Sequence, residues 1–227
     1  MAIALVNSAS YYQTADVSAA FDATGSNYLL VGIVTLGTIN SITYNSAAFT
    51  QHLNTSLAID GVPTVSANFI WYGLANPTTG SNTFVLDTSV VADPTFTFIL
   101  ALSGVNTNDA VEGTDTDTAT TGSADISITQ ASNVSSFMAV VGSVRASTTG
   151  SNYNDTDSTP AFTELIDSQG IVGDNNAGRY VHYGTFEGSG AKTYAGSNNY
   201  TTPDRHSDIA ILLNGSSTAK AQMITFD

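Results

Sequence analysis

The sequence predicts an all-β protein, and three observations carry that expectation. Short runs rich in Val, Ile, Thr, Tyr and Phe recur along the chain, clusters of Gly, Asn, Asp, Pro and Ser separate them, and no long stretch has helical periodicity. In the first half the runs are Ile3 to Val6, Val17 to Phe21, Tyr28 to Leu36, Ser41 to Tyr44, Ala67 to Tyr72, Thr83 to Asp87 and Thr95 to Leu102. In the second they are Asp125 to Thr129, Phe137 to Val144, Phe162 to Asp167, Arg179 to Phe186, Lys192 to Ala195 and Asp208 to Leu213. Tyr28 to Val34 and Phe96 to Leu102 are apolar almost throughout, which marks strands buried more deeply than an alternating strand would be.

The runs also occur twice, in the same order. Ala15-Asp-Val-Ser returns as Ala124-Asp-Ile-Ser, Leu30-Val-Gly-Ile-Val as Val140-Val-Gly-Ser-Val, and Ala48-Phe-Thr-Gln as Ala161-Phe-Thr-Glu. Phe69-Ile-Trp-Tyr-Gly then matches Tyr180-Val-His-Tyr-Gly, Gly80-Ser-Asn-Thr-Phe matches Gly190-Ala-Lys-Thr-Tyr, and Ile99-Leu-Ala-Leu matches Ala210-Ile-Leu-Leu, all at an offset of about 110 residues. The expected architecture is one domain over residues 1–227, a jelly-roll-like sandwich of two antiparallel sheets built from pseudo-repeats at about 15–105 and 124–213. Two small sandwiches in tandem are the alternative. The polar segment from Asn106 to Ala124 reads as a connection between the copies.

Composition excludes several functions. The 227 residues contain no cysteine, so disulfide scaffolds and thiol catalysis are impossible. Five Lys and Arg stand against nineteen Asp and Glu, a formal net charge of -14, which argues against binding a phosphate backbone and hence against nucleic acid. The start, Met1-Ala-Ile-Ala-Leu-Val, lacks a basic region and a long apolar core, so no signal peptide is expected. No apolar stretch is long enough for a helix across a bilayer, and membrane insertion is not expected.

Catalytic and metal chemistry find little support. His52, His182 and His206 are the only histidines, and His182 takes the repeat position that Trp71 fills in the first half, so it reads as a packed ring. Asp204-Arg-His-Ser-Asp208 holds an acid, a histidine and a serine, but triads are assembled from separate elements, and no nucleophile elbow is present. Asp115-Thr-Asp117 and Asp155-Thr-Asp157 could offer carboxylates to calcium, yet neither continues as an EF-hand loop, and both read as solvated turns. Glu112, Glu164 and Glu187 show no spacing that marks a glycosidase pair. No catalytic residue, metal ligand or cofactor is therefore expected. Trp71-Tyr72 and His182-Tyr183 could stack on sugars, although alternation turns one member of each pair inward. Tyr153, Tyr194 and Tyr200, in or near Gly/Asn-rich loops, are the candidate ligand-binding residues.

Assembly is better supported. Sheet edges are ordinarily guarded by Lys, Pro or inward charges, and the chain has only Lys192 and Lys220, so a homo-oligomer is expected. The tail Ala219–Asp227 carries Met223-Ile-Thr-Phe226 and either adds a strand to a neighbouring subunit or closes its own sheet; Ile3 to Val6 poses the same choice.

The order Asn27-Tyr-Leu-Leu-Val-Gly-Ile-Val, Ser41-Ile-Thr-Tyr, Trp71-Tyr-Gly-Leu-Ala-Asn-Pro-Thr-Thr-Gly and Ala101-Leu-Ser-Gly-Val-Asn resembles jelly-roll β-sandwich domains of tailed-phage virion proteins and related bacterial surface proteins, over roughly residues 15–213. The resemblance implies a non-enzymatic virion subunit, of the capsid decoration or cement type or the tail-fibre type, made in the host cytoplasm. Its partners would be copies of itself, other virion proteins and cell-surface glycans. A carbohydrate-binding lectin-like module, calcium-assisted or not, is the alternative that the resemblance leaves open.

Overall fold

The computed structural model describes residues 2–58, 66–89, 95–119, 124–131, 133–145, 153–155, 162–168, 177–198 and 206–216. Among these the only regular elements are strands. The first half contributes β1 (Ala4–Gln13), β2 (Val17–Asp22), β3 (Tyr28–Thr35), β4 (Ile39–Tyr44), β5 (Ala47–Ala48), β6 (Thr50–Ala58), β7 (Ser66–Ala75), β8 (Ser81–Thr88) and β9 (Thr95–Ser103). The second contributes β10 (Val111–Ala119), β11 (Ala124–Gln130), β12 (Ser136–Arg145), β13 (Tyr153–Asp155), β14 (Thr163–Ser168), β15 (Ala177–Phe186), β16 (Gly190–Asn198) and β17 (His206–Asn214). All the strand pairings among the described residues are antiparallel.

The protein is an all-β sandwich, but with four sheets where the sequence reading foresaw two. Each half forms a five-stranded sheet, in the order β1-β9-β3-β7-β6 or β10-β17-β12-β15-β14, and a smaller one, β2-β8-β4-β5 or β11-β16-β13. Tyr28, Leu30, Trp71, Phe96 and Phe98 of the first large sheet share one apolar cluster with Phe137, Val141, Val181, Ile209 and Ile211 of the second. Leu29, Val31, Ile70 and Ile99 point the other way, onto Phe84 and Leu86 of the first small sheet. Met138, Val140 and Leu212 likewise face Ile126, Ile128 and Tyr194 of the second small sheet. The layers therefore run small, large, large, small, with the shared cluster in the middle. Side chains alternate across a strand, so a strand with a sheet on each face must be apolar at every position, and β3, β9 and β17 are buried along almost their whole length.

The two large sheets repeat each other strand for strand in order, down to their irregularities, and β2-β8-β4 of the first small sheet corresponds to β11-β16-β13 of the second. The β1–β9 ladder shifts register between Leu5 and Asn7, and the β10–β17 ladder shifts between Val111 and Gly113; Leu5 stands opposite Leu102 and Val111 opposite Leu213. The β6–β7 ladder shifts between Gln51 and Leu53, and the β14–β15 ladder between Glu164 and Ile166. A bulge adds one residue to one strand of a pair, and two at matching places mark copies of one ancestor. The repeat is longer than the sequence suggested. It takes in β1 and β10, so the supposed connection from Asn106 to Ala124 contains an edge strand.

Two of the sequence matches are out of register by one residue. Since Tyr28 pairs with Leu102 and Phe137 with Leu213, Tyr28 corresponds to Phe137, and Gly32 to Val141 rather than to Gly142. Gly73 lies opposite Leu30 and Tyr183 opposite Ala139, so Trp71 corresponds to Val181, and His182 to Tyr72. A one-residue slip moves a side chain to the opposite face of its sheet. Gly32 accordingly lies under Phe98 and Trp71 in the shared core, whereas Gly142 lies under Tyr180 and Asp208 on the outer side. A methyl group at Gly32 would collide with both rings. Gly32→Ala is expected to lower the stability read from urea unfolding by about 1–3 kcal/mol, the usual cost of overpacking a filled core; an unchanged midpoint would contradict the packing described.

Candidate functional site

The second half encloses a polar cluster between its two sheets. Tyr180, His182, His206 and Asp208 all project to that side of the large sheet, and all are at most 1% exposed. Tyr180 donates its hydroxyl proton to Asp208 Oδ1. His206 Nε2 lies 3.4 Å from Asp117 Oδ2 and 3.7 Å from Asp208 Oδ2. His182 Nδ1 meets the Tyr194 hydroxyl at 2.7 Å. Gly142 leaves room for the cluster, because a side chain there would strike Tyr180 and Asp208. Burial holds the Asp208 carboxyl well above the usual carboxylate range; the Tyr180 hydroxyl opposes that shift and the nearby charge of Asp117 adds to it. Burial pushes His206 the other way, below the usual imidazole value, against the hydrogen bond and charge of Asp117 and the charge of Asp125.

Alternation along β17 separates the sequence cluster Asp204 to Asp208. His206 and Asp208 face the outer sheet, while Ser207 faces the shared core and donates to the Ala58 carbonyl of β6 at 2.5 Å. The serine is thus on the opposite side of the strand from the histidine. Asp204 and Arg205 lie outside the described residues. Ser143 of β12 stands between Ser207 and Arg179, and the buried Arg179 guanidinium donates to Ser143 Oγ at 2.5 Å.

The aromatic candidates fare unevenly. Tyr194 is not a loop residue: it sits on β16, is 1% exposed, and packs edge-on against Phe162 and His182. It is a core residue, because the strand continues through the Gly/Asn-rich segment that looked like a loop. Tyr153 opens β13, its backbone paired with Asn198, and Tyr200 lies outside the described residues. Trp71 and Tyr72 are buried, and Tyr183 stacks on Phe137 at 5.3 Å between ring centres. His52, on the bulge of β6, is joined to the Tyr28 hydroxyl at 2.8 Å; burial lowers the imidazole pKa and pushes the tyrosine up to about 12.

The acidic residues read as turn or calcium candidates have a different task. Asp115 and Asp117 lie on β10, and with Glu112 they reach across to the neighbouring edge strand β11. Glu112 Oε1 accepts the Ala131 N–H at 2.6 Å, Asp115 Oδ2 accepts that of Ser127 at 2.9 Å, and Asp117 Oδ2 that of Asp125 at 2.9 Å. Three carboxylates thereby occupy backbone donors that an added strand would need. The alternation in Thr114-Asp-Thr-Asp-Thr118 was the available signal, since period two marks a strand rather than a turn. On the same side of the first half, the link between β1 and β2 is an amide: Asn7 Nδ2 donates to the Asp22 carbonyl at 2.9 Å. Ala4–Gln13 carries no charged residue and no proline. Val6 and Tyr12, 42% and 38% exposed, are its large apolar side chains at the surface. Lys192, counted as an edge guard, is buried on the central strand β16, where it donates to the Glu187 and Gly188 carbonyls and lies over the Phe186 ring.

A cleft of about 570 Å³ lies in the second half, beside the start of β10 and the end of β17, lined by Asn106, Asp109, Val111, Glu112, Val134 and Asn214 among others, none of them aromatic. Among the described residues no group of three or more His, Asp or Glu is placed to hold a metal ion. Asp155 lies at the end of β13, and Asp157 is outside the described residues. No family model matches the chain, nor does any curated protein or solved structure.

The buried cluster makes stability depend on pH. The folded pKa of Asp208 lies above its unfolded value of about 3.9, so the stability linked to it is fully present below that value and is lost as pH rises through the folded pKa. His206 acts in the reverse sense, its contribution being present above about pH 6.5 and lost as pH falls through its lowered folded value. Asp208→Asn is therefore expected to gain on the native chain as pH rises from 4 to 8, its thermal midpoint overtaking by a few degrees. A difference that stays constant across that range would contradict the assignment.

Proposed function

We propose that this protein is a non-enzymatic structural subunit of a virion, a capsid decoration or cement protein or a tail-fibre-type subunit, that acts by assembling with copies of itself and with other virion proteins. The observation that carries the reading is the edge strand β1: ten residues long, uncharged, free of proline and bearing exposed Val6 and Tyr12. Such an edge invites strand addition, and proteins that must remain single ordinarily blunt it. The polar groups that could be mistaken for an active centre give no support to catalysis, because Tyr180, His182, His206 and Asp208 are sealed between two sheets.

The strand order supports the jelly-roll part of the reading. The chain passes back and forth between the sheets except at β4–β5 and β6–β7, so that β1-β9-β3-β7 faces β2-β8-β4-β5, a wrapping in keeping with the double-sheet jelly rolls common in viral shells. A virion subunit made in the host cytoplasm has no need of disulfides, which fits the absence of cysteine. Function in such a protein resides in shape, edges and loops. Mass spectrometry and imaging of virus particles purified from cells that encode this chain should find it at regularly repeated sites on capsid or tail. Particles that lack it, while the free protein accumulates in the same cells, would sink the proposal.

A further inference from the structure

We infer that β1 is the seam of a closed homodimer, in which Ala4–Gln13 of two copies pair antiparallel about a twofold axis and join their β1-β9-β3-β7-β6 sheets into one. The inference rests on the assembly reading above and names the partner at that edge. Its first support is the contrast between the two halves. The second half closes the side made by β10 and β11 with Glu112, Asp115 and Asp117. The first half leaves the equivalent side, β1 and β2, with the single amide link from Asn7 to Asp22 among its described side-chain bonds. One ancestor has thus given one sealed edge and one open edge.

Electrostatics selects a second copy as the occupant. Two chains of formal charge -14 repel one another over most approaches, and Ala4–Gln13 is a strip from which all the acidic residues are missing. An edge kept for a basic partner would carry carboxylates, as β10 does. Exposed Val6 and Tyr12 add apolar surface that is removed from water when two such strips meet.

Backbone geometry provides the donors. The Ser8 N–H turns to the Asn7 side chain at 2.9 Å, and in an antiparallel ladder alternate residues face the same side, so the N–H of Ser10 also points away from β9. Closure follows from the remaining edges of the large sheets. The carboxylates of β10 take the outward donors of β11, and Thr116 of β10 turns its own N–H to Asp115 Oδ1 at 2.9 Å; β6 is bulged between Gln51 and Leu53 and held at Ala58 by Ser207, and β14 is bulged between Glu164 and Ile166. An isologous contact through one open edge per chain stops at two copies, whereas two complementary open edges would build a ring or a fibre.

Sedimentation velocity of the full chain, with circular dichroism as the control for folding, tests the inference. The native chain should sediment as a dimer. Ser10→Pro removes an outward donor without touching the ladder to β9, and Ser10→Lys brings charge to the seam; each should weaken dimerisation by at least about tenfold, or ~1.4 kcal/mol. Thr116→Lys, at the matching position of β10 opposite Ile209 as Ser10 is opposite Phe98, should leave it unchanged. Because the chain has no cysteine, Ser8→Cys and Ser10→Cys report directly: oxidation should give a covalent dimer from at least one of them and none from Thr116→Cys. A native dimer that survives both Ser10 changes, or that is lost only when residues 219–227 are removed, overturns the seam and leaves the assembly reading standing. A native chain that stays monomeric at high concentration overturns both, and assembly that continues past two copies overturns the closed dimer.

Discussion

Burial of both faces of both large sheets is the constraint on which the rest of the structure depends. A sheet with one wet face can alternate polar and apolar residues, but β3, β9, β12 and β17 have a partner layer on each side and have almost no freedom to do so. The same constraint explains the glycines at Gly32 and Gly142, where large rings from neighbouring strands already fill the space. Some of the polar groups that enter these layers are bonded to one another: Arg179 with Ser143 on the core side, Tyr180 with Asp208 on the outer side. A buried polar atom without a partner costs more than an apolar one in its place, so each such bond lowers the cost of burying its two groups.

This explains what could be read from the sequence and what could not. The central strands were legible because they are apolar over their full length, and the all-β class follows from them. Three edge strands, β6, β10 and β1 beyond Val6, were not. β6 and β10 are built largely from Ser, Thr, Asn, Gln and Asp, and Asn7, Ser8, Ser10 and Gln13 interrupt β1, because one side of each meets water, and these are also the residues of turns. The duplication was visible in the order of the motifs, yet two matches slipped by one residue. Strands apolar at every position carry no alternation to fix their register, and Val-Val-Gly against Leu-Val-Gly aligns the glycines across opposite faces. Only the ladder partners, Tyr28 with Leu102 and Phe137 with Leu213, restore it.

The site was less legible still. Tyr194 reads as a loop residue because its neighbours are Gly, Ser and Asn, but those residues continue β16 and the ring is buried. The carboxylates of β10 read as a turn because their work is done on the backbone of β11, a strand eight or more residues away in the chain, and no local pattern reports such a contact. The two copies thus share a scaffold and differ in how they finish their edges. The acidic residues that dominate the net charge include those that close one edge, and their absence from Ala4–Gln13 leaves the other uncharged.

The central claim is that the copies stand or fall together through the cluster between their large sheets. The chain has a single tryptophan, Trp71, and it lies in that cluster but belongs to the first copy. Met138 belongs to the second copy and points away from the cluster, into the outer layer. Its replacement by alanine should cost about 2–5 kcal/mol. The most direct measurement is urea unfolding of Met138→Ala followed by Trp71 fluorescence and by circular dichroism. A shared core predicts that both signals move together to the same lower midpoint. A Trp71 transition that stays where it is in the native chain would show that the copies unfold independently, and would contradict the account.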